Sequence, residues 1–165
     1  MPGWARTAMQ SRALTAAGKR LEAQQVVEVS KLVRDSLFQG LSDAQIDDLL
    51  RRGKQISFQP GELIVRKGDY GDTMYIILSG LVEVVRFLGK EGPQFTRLAL
   101  AEGEFFGELA LLSEGQPRTA NVIAIEPTTC LMLSRPEVEH ALLIHPLLAL
   151  SMLKVMSRRL RAVGP

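Results

Sequence analysis

Two periodicities divide the chain. From Ser11 to Phe38 there is no proline and one glycine, Gly18, and apolar residues recur at helical spacing: Leu14, Leu21, Val29, Leu32, Val33 and Leu37. "LSDAQIDDLLRRG" predicts a second helix. Ser42 caps it, Gln45 completes a capping box, and Gly53 ends it. The period then changes. Short apolar runs, "QISF", "ELIVRKG", "TMYIILS", "LVEVVRF", "QFTRLAL", "TANVIAIE" and "TTCLMLS", alternate with turn signals such as Pro60-Gly61, Gly68-Asp69, Gly92-Pro93 and Glu126-Pro127. Strands at such regular spacing predict an all-β sandwich or barrel. Gly80 before "LVEVV" predicts a tight hairpin. The end is helical again. "RPEVEHALLIH" starts on a proline, and a helix is expected over Pro146–Val163, with Leu147, Leu150, Leu153, Met156, Leu160 and Val163 along one face. Leu150, Leu153 and Met156 are expected to pack inward.

Composition narrows this picture only a little. The 165 residues carry a formal charge of +2, which demands no nucleic acid or acidic partner. The single cysteine, Cys130, allows no internal disulfide, fits a reducing compartment and reads as a small buried hydrophobe. No apolar stretch has the length of a membrane span. Arg6, Arg12, Lys19 and Arg20 make the first residues basic, as in a solvated arm or the tail of a preceding domain. Residues 1–36 are therefore read as a basic arm and helix serving as linker or dimer contact, and residues 37–165 as the main domain.

The chemistry concentrates in "FFGELALLSEGQPRTA", residues 105–120. A short helix starting near Gly107 offers free backbone N–H groups. Gly107 permits close approach of a ligand. Arg118 supplies a planar fork suited to phosphate. Glu108 would repel a phosphate, so it makes sense if it accepts hydrogen bonds from a neutral part of the same ligand, such as a sugar hydroxyl. These residue types point to a phosphate joined to a polyol. Alone, "FGELALL" would read as a buried amphipathic turn. His140 and His145 are the two histidines, and both fall in the C-terminal helical part. A jelly-roll metalloenzyme needs histidines clustered on strands, so neither a metal nor a catalytic role is expected.

"FFGELALLSEGQPRTANV" resembles the phosphate-binding cassette of cyclic-nucleotide-binding domains, found in catabolite-activator-type transcription factors, protein kinase regulatory subunits and nucleotide-gated channels. "GDYGDTMYIILSGLVEVV" resembles that family's central hairpin. The resemblance runs from about Leu37 to Val163. It implies an eight-stranded antiparallel jelly-roll β-barrel with N-terminal helices and C-terminal lid helices, and a sensor without enzymatic activity. It also implies roles. Glu108 would accept the ribose 2′-hydroxyl, and Gly107 would pass beneath the ribose. Leu109 and Ala110 would give N–H groups to the cyclic phosphate, and Arg118 would pair with its charge. Thr119 would add a hydroxyl, with Ala120 beside the phosphate. Val84 and Leu98 would line the base pocket, and Arg159 falls where some members set an arginine against the base.

Threonine at 119 is similar to members that accept cyclic GMP, whereas alanine is usual in strict cyclic-AMP sensors. The best guanine readers carry an arginine where this chain has Leu98, and alternation points the adjacent Arg97 the other way. Either cyclic GMP or cyclic AMP is the expected ligand, with no further cofactor. The expected setting is cytoplasmic. The expected partner is an effector domain or protein, a homodimer remains open, and no direct nucleic-acid contact is expected. The chain shows no recognition helix after Val163, which a DNA-binding regulator would need.

Overall fold

The computed structural model describes residues 37, 39–88 and 94–163. The arm and first helix expected over 1–36 lie outside them. Helix α1 (Asp43–Arg52) leads into eight strands: β1 (Lys54–Phe58), β2 (Leu63–Val65), β3 (Thr73–Ser79), β4 (Leu81–Leu88), β5 (Gln94–Ala101), β6 (Phe105–Phe106), β7 (Asn121–Ala124) and β8 (Thr128–Ser134). Helix α2 (Glu108–Leu112) interrupts them after β6, and α3 (Arg135–Ile144) and α4 (Pro146–Val163) follow. The strands form two antiparallel four-stranded sheets, ordered β1-β8-β3-β6 and β2-β7-β4-β5. This is the jelly-roll arrangement with flanking helices.

Strand alternation builds two core compartments from one strand. Met74, Ile76 and Leu78 of β3 face the helices, joined by Phe105, Leu131 and Leu133 and covered by Ile46, Leu49, Val138, Ala141, Leu148 and Met152. Ile77, between them in sequence, faces the second sheet with Phe106, Cys130, Val82, Leu100 and Val122. Adjacent Phe105 and Phe106 thus serve opposite compartments. Cys130 is fully buried, and burial pushes its thiol pKa up to about 12.

The local signals hold well. Ser42 and Gln45 form the expected capping box and Gly53 is the C-cap. A second capping box, Ser134 with Glu137, starts α3. Strands β3 and β8 and helix α4 have the predicted bounds.

Two expectations are overturned. Gly80 closes no hairpin, because β3 and β4 lie in different sheets. At φ 101° it turns the chain from one sheet to the other, and a Cβ there would meet the Pro127 carbonyl at 2.5 Å. The hairpin partner of β4 is β5. On α4, the buried positions are Leu148 and Met152, with Val155 and Met156 partly covered. Leu147, Leu150, Leu153 and Leu160 are exposed, Leu153 to 61%. The helix carries two apolar stripes, and the spacing identified the outer one.

Candidate functional site

The loop from β6 to β7 is built around glycine 107. Its φ of 86° is left-handed, and a Cβ there would stand 3.0 Å from both the Arg118 Nη1 and the Thr73 carbonyl. Only a glycine lets these groups close on the backbone. Helix α2 starts at the next residue, as the sequence predicted.

Arg118 is only 7% exposed, although it is a cation in a loop. Its Nη1 donates to the carbonyls of Thr73 at 2.8 Å and Gly107 at 2.9 Å. Its Nη2 donates to the Thr73 hydroxyl at 2.9 Å. These bonds tie the loop to the start of β3. A guanidinium has five N–H donors, about two of which are left for other partners. The Nε–Nη2 edge faces Gly71, where an added Cβ would come within 2.6 Å of Nη2 and 2.9 Å of Nε. Gly71 therefore leaves that edge open. Burial lowers the Arg118 pKa, opposed by Tyr75, Asp72 and Glu108.

Glu108 is 6% exposed. Desolvation raises its pKa, and the charges of Arg159, Arg86 and Arg118 work against that rise. Of the three arginines, Arg159 makes the direct pair, with Nη1 3.5 Å from Oε1. Its guanidinium also lies over the Phe105 ring, 4.5 Å from the centroid. Helix α4 thus reaches the loop through one side chain.

The other expected residues fall around this centre. Leu109 is half-buried and Ala110 buried on α2, Ala120 is buried before β7, and Thr119 is exposed. Val84 and Leu98 are direct cross-strand partners on β4 and β5, and Leu98 is 41% exposed. Arg97 takes the opposite face, as alternation requires, and pairs with Glu83 at 3.1 Å. An open groove borders the loop between Tyr70, Asp72, Gln116 and Arg135.

The motif did not reveal Thr73, Gly71, Phe105 or Arg86. Arg86 had a legible signal: it follows Val82 and Val84 at period two on β4, which sets it on their face. Thr73 and Gly71 had none, since their role depends on a contact across 45 residues. Among the described residues, no group of three or more His, Cys, Asp or Glu is arranged to hold a metal ion. His145 is the C-cap of α3.

A buried arginine and a buried carboxylate sharing one glycine-hinged loop, on a jelly roll with C-terminal helices, define a class of ligand-sensing domain. The family model described as "Cyclic nucleotide-binding domain" matches residues 55–145, and the chain belongs to that family. It is 36% identical over 126 residues to the cyclic AMP receptor protein of Thermus thermophilus, covering 76% of this chain and 57% of that protein. It is 33% identical over 129 residues to the cyclic nucleotide-gated channel beta-1 of Bos taurus, covering 77% of this chain and 9% of the channel. The crystal structure of the Thermus thermophilus catabolite activator protein superposes with a TM-score of 0.68 at 34% identity, over 77% of this chain and 59% of that one. The chain therefore spans little more than half of the receptor protein and a small part of the channel. Both relatives carry the domain as a regulatory part of something larger. No single helix among the described residues is long and apolar enough to cross a membrane.

Proposed function

We propose that this chain binds a cyclic nucleotide, cyclic AMP or cyclic GMP, and acts as a sensor without catalysis of its own. The observation that carries the reading is the Arg118 guanidinium. It is buried, fixed at Nη1 and one side of Nη2, and its Nε–Nη2 edge faces Gly71, where no side chain intervenes. That edge takes the cyclic phosphate. Leu109 and Ala110 add backbone N–H groups, Thr119 adds its hydroxyl, and Ala120 leaves room beside the phosphate. Glu108 accepts the ribose 2′-hydroxyl over Gly107. Val84 and Leu98 form the wall for the base, and the C-terminal helices cover it. Re-seating of α4 then passes the signal to an effector domain or partner protein in a cytoplasmic setting. The share of the receptor protein that the chain spans supports a second output, the sensor half of a DNA-binding regulator.

Calorimetric titration with cyclic AMP and cyclic GMP side by side tests the reading. A ligand at 100 times its dissociation constant adds about 2.7 kcal/mol to the folded state, so the melting temperature rises with it. No heat and no thermal shift with either nucleotide at millimolar concentration would overturn the proposal.

A further inference from the structure

Glu108 and Arg159 stand 51 residues apart and meet in the candidate site. A buried carboxylate that must accept a hydroxyl has to stay ionised, and burial opposes this. Three arginines face Glu108: Arg159 from α4, Arg86 from β4 and Arg118 from the loop before β7. Its own backbone N–H adds a smaller favourable contribution. Arg118 already donates to Thr73 and Gly107. Arg159 is the one at ion-pair distance, and its side chain is four-fifths buried. Its own surroundings include Glu104 and the like charge of Arg158, while Phe105 takes one face of the guanidinium. Its Nη2 is buried and has no hydrogen-bond partner. The pair therefore holds one carboxylate in place and leaves one donor waiting for an acceptor beside it.

We infer that Arg159 is a positioning residue for Glu108: it keeps the carboxylate ionised and turned toward the ribose, so α4 reads the 2′-hydroxyl rather than the base. This deepens the proposed function and rests on the reading of Glu108 as the ribose acceptor. A 2′-hydroxyl can donate to Glu108 and accept from Arg159 Nη2 at once, which satisfies both groups. With Phe105 against one face of its guanidinium, Arg159 is committed below the base. The ribose is common to every cyclic nucleotide, so this link to α4 is the same for adenine and guanine.

The test compares cyclic AMP with 2′-deoxy cyclic AMP on the wild type, Arg159→Gln and Arg159→Lys. The wild type should lose about tenfold in affinity when the 2′-hydroxyl is removed, the scale of one hydrogen bond to a charged group. In Arg159→Gln that penalty should shrink to within about twofold, because the ribonucleotide alone has been weakened. Arg159→Lys should restore part of it. In the ligand-free proteins, the Glu108 carboxyl followed by carbon NMR should titrate at higher pH in Arg159→Gln than in the wild type. Equal losses for both nucleotides would place Arg159 against the base or in helix packing and overturn the inference. So would an unmoved Glu108 titration, a readout that needs no ligand. If the wild type binds neither nucleotide while the titration shifts as expected, the ribose reading itself is wrong and the inference falls with it.

Discussion

Arg118 and Thr73 are joined twice across 45 residues, Nη1 to the carbonyl at 2.8 Å and Nη2 to the hydroxyl at 2.9 Å. A residue expected only to hold a phosphate also fastens its loop to a strand. Arg118→Ala should therefore weaken cyclic-nucleotide binding by about 2–5 kcal/mol through loss of the partner charge. It should also lower stability by about 1–3 kcal/mol, because the Thr73 and Gly107 carbonyls lose their donors. Titration calorimetry and urea unfolding on the same variant separate the two effects. Full affinity would mean that the phosphate is held elsewhere.

Gly71→Ala makes a sharper probe of the same edge. The added Cβ would stand 2.6 Å from Nη2 and 2.9 Å from Nε, on the side where no hydrogen bond fixes the guanidinium. Rotation of the guanidinium away from the methyl would break its bonds to Thr73. Affinity should fall by at least about tenfold, near the cost of one charge-assisted hydrogen bond. The variant should still fold, because nothing but Arg118 lies within reach of the new methyl. Wild-type affinity would show that a ligand does not use this edge.

Glu108 gives a pH signature. Burial raises its folded-state pKa above the value in the unfolded chain. Protonation is then favoured by folding, so this contribution to stability is complete below the unfolded pKa and is lost as pH rises through the folded one. The Glu108→Gln variant should lack that loss. Denaturant unfolding of both proteins over the acid range should show the wild type losing stability relative to the variant as pH climbs through this window. Ligand binding should show the opposite slope, since only the ionised carboxylate accepts the hydroxyl: affinity falls as pH drops through the raised pKa. Parallel stability curves would contradict the burial argument.

Thr119 is exposed beside the buried Arg118, placed to touch a ligand without a structural duty of its own. Thr119→Ala should lower cyclic-GMP affinity more than cyclic-AMP affinity, by roughly 1 kcal/mol of difference. Leu98, in place of an arginine on the facing strand, keeps the preference modest. Equal losses would reduce Thr119 to a phosphate contact.

Cys130 is buried, with its thiol pKa pushed up to about 12. At neutral pH a disulfide reagent should react with it only as fast as the sheets open. Release of the coloured thiol during denaturant unfolding should coincide with loss of the sheet signal. Prompt reaction in the native protein would mean that the inter-sheet compartment breathes far more than its packing suggests.

Much of this was legible in the residues, where the determinants are local. The Ser42 and Gln45 capping box, the bounds of β3 and β8, and the loop carrying Glu108 and Arg118 all follow from neighbours within a few positions. What escaped depends on distant partners. A glycine between two apolar runs reads as a hairpin, yet β8 claims β3 on one side and β7 claims β4 on the other, so Gly80 becomes a crossing between sheets. Two residues, Phe105 and Phe106, are too few to announce a strand. Helix α4 has apolar stripes on two sides, and the inner one is chosen by contacts with Met74, Ile76 and Phe105 that no periodicity contains. Arg159 was visible as a basic residue over the pocket. Its pairing with Glu108 was not, since it depends on how α4 is seated.

Strand β3 is a party wall between two compartments, with Met74, Ile76 and Leu78 on the helix side and Ile77 on the sheet side. Ten of α4's eighteen residues could lift away without breaking a single strand pairing, but β3 could not yield without opening both rooms. The molecule should therefore come apart in an order. Amides of α4 should exchange with solvent through a cheap, partial opening, while those of β3 and β8 should exchange only when the whole fold is lost. A sensor needs that separation: one part loose enough to be moved by a small molecule, hung on another that the same molecule is too weak to disturb.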